Sequence, residues 1–177
     1  PLSSKSAEVY YKLGLCFERE GDIEQTVYYF RRSVEFLKNN TSINQFQRKA
    51  IDKLVAVYKT GKKYTEAAEL LRRLSESINN SSELLLARMA KLYEEGKDFN
   101  SAVYIYDLLE KKFTNSPDID YYIYRKAVCS ENADMISEAK NIYRIFKLAF
   151  KNSKHNFTEH STKAVPDEKI KNIAKRV

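Results

Sequence analysis

Ile51, Leu54, Val55 and Tyr58 follow one another at i, i+3, i+4 and i+7, and Leu86, Met89, Ala90 and Tyr93 repeat that spacing further on. Such spacing places each set on one face of an α-helix. Behind each stripe lies a polar stretch containing one glycine, and then a second helical pattern. That pattern is Ala67, Leu71 and Leu74 in one case and Ala102, Tyr106 and Leu109 in the other. The two passages align at a constant interval: Tyr58 to Tyr93, Gly61 to Gly96, Tyr64 to Phe99, Ala67 to Ala102 and Leu74 to Leu109 are each 35 residues apart. A period of this size marks a solenoid, in which each unit buries its apolar face by stacking on a neighbour. The unit here is a helical hairpin.

Each glycine is expected to end the first helix in a left-handed backbone conformation. Tyr64 or Phe99 then packs over the corner, and Ala67 or Ala102 is small because the two helices approach most closely there. An earlier unit follows the same scheme through Tyr10, Leu13, Gly14, Phe17, Gly21, Ile23, Thr26 and Phe30. The polar run 38-KNNTSINQ-45 predicts a longer connection after it. A fourth unit is carried by Ile136, Ala139, Tyr143 and Phe146. Its first helix lacks the corner glycine and has Lys126 where a leucine is expected. The units predicted are about 6–38, 47–80, 82–115 and 118–151, with Pro117 stopping the helix before the last. Residues 152–165 read as a polar loop. Residues 166–177 read as a short helix, with Pro at its start, acids in its first turn, bases in its last and Ile170, Ile173 and Val177 on one face. It would serve as an end cap or as an interaction arm. The fold class expected is all-α: about four antiparallel hairpins in residues 1–151, followed by this loop and helix.

Composition refines this reading. Four glycines and three prolines leave room for long regular elements and few turns. Lys and Arg number 31 against 24 Asp and Glu, a net charge of +7. The signs alternate locally, as in 18-EREGD-22 and 94-EEGKD-98, which marks solvated helix faces more than a nucleic-acid surface. No run is long and apolar enough to cross a membrane. Pro1 stands where a Met would begin a chain, so a processed chain or a fragment is expected, with any targeting segment outside it. Cys16 and Cys129 are the two cysteines. They are expected to be buried or half-buried thiols, too far apart along the array to bridge.

This pattern resembles the tetratricopeptide repeat family over roughly Ser6 to Lys151. The residues that carry the likeness are Tyr10-Leu13-Gly14-Phe17, Leu86-Met89-Ala90-Tyr93 and Phe99-Ala102-Tyr106. The resemblance implies a right-handed superhelix whose first helices line a concave groove, and a role in binding proteins or peptides. A second likeness, through 109-LEKKFTNSPDIDYYIYRKA-127, is to repeat junctions of bacterial envelope proteins such as outer-membrane assembly lipoproteins. It implies a periplasmic or envelope setting, with the cytoplasm as the alternative. One branch of the family grips a C-terminal carboxylate with Lys, Asn and Arg. Here Tyr11, Leu15 and Ala56 occupy the corresponding positions and only Arg88 fits, so a clamp of that kind is not expected.

On this reading the groove is lined by Tyr11, Leu15 and Glu18 in the first unit and Asp52, Ala56 and Lys59 in the second. Arg88, Lys91 and Glu95 follow in the third, and Tyr124 and Val128 in the fourth. An ordinary solvated helix face is the alternative for each residue. The face as a whole mixes tyrosine, aliphatic side chains and both charge signs, which suits a peptide or protein segment. A basic helical-repeat RNA binder is the alternative function, and steep log-linear salt dependence would reveal it. No cofactor, metal or catalytic residue is expected. His155, Glu159 and His160 lack zinc-ligand spacing, and no phosphate-loop, esterase or zinc-protease motif occurs. The register itself is testable. Ala102→Leu should overpack the hairpin and lower stability by about 1–3 kcal/mol, measured by thermal melting.

Overall fold

The computed structural model describes residues 4–35, 43–77 and 82–150. Within them the chain forms eight helices and no strand. These are α1 (Ser4–Glu20), α2 (Ile23–Val34), α3 (Gln45–Thr60), α4 (Tyr64–Ser77), α5 (Glu83–Glu95), α6 (Phe99–Lys112), α7 (Ile119–Asn132) and α8 (Ile136–Ala149). The chain divides into two compact units, Pro1–Ile105 and Tyr106–Val177, with the division inside α6. The expected 152–165 loop, the 166–177 helix and the His155, Glu159 and His160 cluster lie outside the described residues, as does most of the connection after α2.

One backbone corner recurs between α1 and α2, α3 and α4, α5 and α6, and α7 and α8. Its left-handed residue is Gly21, Lys62, Lys97 or Asp134, with φ of 79°, 57°, 60° and 60°. The next N–H reaches back to a carbonyl five residues earlier. Asp22 donates to Phe17 at 3.0 Å, Lys63 to Tyr58 at 2.7 Å, Asp98 to Tyr93 at 2.9 Å and Met135 to Ser130 at 2.9 Å. This is the 6→1 bond that satisfies an orphan carbonyl at a helix end. The following residue then begins the second helix, and the Asp22 carboxylate caps it by accepting from the Gln25 N–H at 3.0 Å.

The assignment of the left-handed position to Gly61 and Gly96 is therefore corrected. Their φ angles are −78° and −79°, and the lysine after each takes the left-handed conformation. Gly96 is needed for space: a Cβ there would lie 2.9 Å from the Tyr64 Cβ of the preceding hairpin. Tyr64 thus packs over the corner of the next hairpin.

In the first unit α1 packs on α2 and α3 on α4, while α2 covers α3 and α4 covers α5. Phe30, Ala50, Leu54, Ala67, Ala68 and Leu71 are fully buried, each large apolar side chain contributing about 1.5–3 kcal/mol. Gly14 sits against the Phe30 ring, 2.5 Å from where a Cβ would lie. Ser33 donates to the Ala7 carbonyl at 2.8 Å across the same interface. In the second unit α7 packs on α8, around Tyr106, Leu109, Ala127, Cys129 and Ala139.

Two further expectations change. Cys129 is buried, but Cys16 is exposed on α1. Lys126 is held in place by charge: its ammonium meets Asp107 at 2.6 Å and Glu110 at 3.1 Å on α6. The side chain is only 12% exposed. Burial pulls the Lys126 ammonium down, but hydrogen bonds to Asp107 and Glu110 outweigh it and leave the group above its ordinary range. Burial pushes the Asp107 carboxyl up, and the hydrogen bonds from Lys111 and Lys126 bring it below its ordinary value.

Gly14→Ala should lower stability by about 1–3 kcal/mol because the Phe30 ring must move. Gly61→Ala should raise it by about 0.4–1 kcal/mol, since the backbone suits alanine and the nearest atom would lie 3.6 Å away. Denaturant melts of the two variants should shift in opposite directions. For the buried cation, Asp107→Asn with Glu110→Gln should cost about 2–4 kcal/mol, and adding Lys126→Leu should recover most of it in the same melts.

Candidate functional site

The first helices of the first unit, α1, α3 and α5, are tied to one another by ion pairs one repeat apart. Glu18 on α1 receives two hydrogen bonds from Lys53 on α3, at 2.6 and 2.9 Å. Asp52 on α3 accepts from Arg88 on α5 at 2.8 Å. Lys59 at the end of α3 meets Glu95 at the end of α5 at 2.9 Å. Each pair is partly exposed and contributes about 0–1 kcal/mol. Their main effect is to cancel charge on the face and to hold neighbouring side chains in register.

Most residues expected in the groove thus belong to this face, with definite partners. Glu18, Asp52, Lys59, Arg88 and Glu95 form the pairs, and Ala56 and Lys91 are exposed beside them. Leu15 is half-buried on α1. Tyr11 is half-buried as well, its ring 5.8 Å from that of Phe30 and 6.0 Å from that of Phe46. It therefore seals the junction of α1, α2 and α3.

Tyr124 and Val128 are corrected: at 8% and 7% exposure they are core residues of α7. The ring of Tyr124 meets those of Tyr143 at 6.3 Å and Phe146 at 6.2 Å on α8. The helix is turned so that Tyr122, Tyr124, Ala127 and Val128 all face inward.

Lys53 was missed from the sequence, although a signal for it exists. Opposite charges stand 35 residues apart at Glu18 and Lys53, and 36 apart at Asp52 and Arg88 and at Lys59 and Glu95. One repeat length separates pairs that meet across adjacent first helices. The outer surface of α4 is also ion-paired, but within the helix. Hydrogen bonds from Arg72, with those from Arg73, hold the Glu69 carboxyl down to about 2. Among the described residues no group of three His, Cys, Asp or Glu could hold a metal ion, and no helix is long and apolar enough to cross a membrane.

The α1–α2 hairpin decides the relationship, because residues 8–35 match the family model for the tetratricopeptide repeat. Over that stretch the chain is similar to one tetratricopeptide repeat. The later hairpins share its corner geometry, which makes the described chain a tetratricopeptide-like helical array. Comparison with solved structures agrees on the fold. "MamA 41-end" from Desulfovibrio magneticus RS-1 aligns with a TM-score of 0.52 over 80% of this chain and 74% of that one. The two are 11% identical, so the likeness concerns fold alone. Comparison with curated protein sequences returns no match. The tetratricopeptide-repeat match at residues 8–35 supports a protein–protein interaction role.

Proposed function

We propose that the chain binds a peptide or protein segment on the face shared by α1, α3 and α5. The observation that carries this reading is the row of ion pairs between Glu18 and Lys53, Asp52 and Arg88, and Lys59 and Glu95. They align three first helices side by side. Because most of its charge is internally cancelled, the face suits a segment of mixed character, with apolar groups toward Leu15 and Ala56 and acids toward Lys91. A polyanion would have to break these pairs. Tyr124 and Val128, being buried, are not part of the proposed contact set. The likeness of residues 109–127 to envelope-protein junctions supports a bacterial envelope as the setting, which fractionation of the native organism tests.

The binding face is tested by affinity capture from native lysate with the intact chain and with Arg88→Glu plus Lys91→Glu. The reversed chain should keep its helical circular dichroism and lose the captured segment. Purified segment should then bind it about tenfold more weakly, mainly through slower association. Normal affinity after reversal would exclude this face. Steep log-linear loss of binding with salt would point to nucleic acid instead.

A further inference from the structure

One register position carries a base in each first helix. Lys12 on α1 and Lys53 on α3 are 41 residues apart, as are Phe17 and Tyr58. Lys53 and Arg88 on α5 are 35 apart, as are Tyr58 and Tyr93. In α7 the position holds Arg125, 37 beyond Arg88, just as Asp134 is 37 beyond Lys97. In the first unit this row of cations runs along the proposed binding face, beside Tyr11, Leu15 and Ala56. Lys53 reaches Glu18 of the preceding first helix at 2.6 and 2.9 Å, and Arg88 reaches Asp52 at 2.8 Å. Lys12 meets Glu8 on its own helix at 2.7 Å. All three side chains stay open to solvent, Lys12 at 66%, Lys53 at 39% and Arg88 at 37%. The pairs leave donors free. Lys53 gives two of its three N–H groups to Glu18, and Arg88 gives one of its five to Asp52. The acids therefore aim the cations without exhausting them, and each cation can take one more carboxylate.

Spacing decides what can span the row. Neighbouring helices pack about 8–10 Å apart. A polyproline-II chain rises about 3.1 Å per residue with three residues per turn, so every third side chain returns to one face about 9.3 Å further on. Strand residues that share a face recur at about 6.8 Å, which is too short. Seven residues of α-helix rise about 10.5 Å and turn about 20° off the line, so a third carboxylate swings away. Taking this face as the binding face, we infer that its ligand is an extended polyproline-II segment with an acidic residue at every third position. Successive carboxylates meet Lys12, Lys53 and Arg88. Lys91 stands one turn from Arg88 on the same side of α5, so the carboxylate there meets two cations. An apolar face of the same segment lies over Tyr11, Leu15 and Ala56. The ligand comes from outside these 177 residues, because nowhere in them do Asp or Glu stand together at i, i+3 and i+6.

The probe is a synthetic peptide of four Glu-Pro-Pro triplets, compared with an isomer of the same composition whose glutamates are consecutive. Both carry the same charge, so a difference between them reports spacing. Titrated with the full chain and read by fluorescence anisotropy, the triplet peptide should bind about tenfold more tightly than the isomer. Lys12→Gln, Lys53→Gln and Arg88→Gln should each weaken it about three- to fivefold. The triple variant should bind the two peptides alike and keep its helical circular dichroism, since every pair it breaks is partly exposed. Equal affinity of the two peptides for the unaltered chain would overturn the inference, as would no binding of either at about 1 mM. Tighter binding of a stapled helix with glutamate at every seventh position would make the ligand helical instead. The capture experiment with Arg88→Glu plus Lys91→Glu keeps the two readings apart. A captured segment that is lost on that reversal, with no preference for the triplet peptide, leaves the binding face standing and removes the polyproline-II ligand.

Discussion

Two helices joined by so short a corner can lie antiparallel only if one corner residue turns left-handed and the helices meet through small side chains. Both conditions recur through the described chain. Gly21, Lys62, Lys97 and Asp134 supply the turn, and each is followed by a residue whose N–H closes the 6→1 bond. Small residues stand at the close contacts, with Gly14 under Phe30, and Ala67, Ala102 and Ala139 buried at the start of the second helices. A left-handed non-glycine residue costs about 1–2 kcal/mol. The bond it permits and the burial it aligns outweigh that strain. This is why the fourth corner keeps the geometry with no glycine in it.

Once the hairpins are set, their stacking decides which charges meet. Adjacent first helices in the first unit place residues one repeat apart within reach, and the chain has opposite charges at those separations. The exposed pairs contribute little stability. They do change what the face can recognise, because a field of paired charges attracts a polyanion weakly and leaves shape and apolar contact to discriminate. Lys126 is the buried counterpart. With so little water around it, its two carboxylate partners are a structural requirement.

Helix α1 keeps apolar residues at Val9 and Leu13, where its equivalents are covered by a preceding helix. Among the described residues no preceding second helix lies against α1, and scattered apolar residues on a surface are ordinary. Cys16 is open for the same reason. Its equivalents, Val57 and Leu92, are half-buried and buried.

The sequence by itself determined the helical hairpin, its period and its small positions. These depend on local spacing: i, i+3, i+4 and i+7 stripes, and alanines recurring at one interval. It also showed most of the α1, α3 and α5 face, because residues beside a core stripe must point away from it. Local spacing could not say which corner residue turns left-handed, as Gly61 and Gly96 sit one place before Lys62 and Lys97. Nor could it show that Gly96 makes room for Tyr64, a contact between different hairpins. The rotation of α7, which buries Tyr124 and Val128, follows from packing against α8 and from the pull of Asp107 and Glu110 on Lys126. Only the tertiary structure decided such matters, because each depends on which side chain a neighbouring helix brings within a few ångströms, and the order of residues along one helix does not contain that distance.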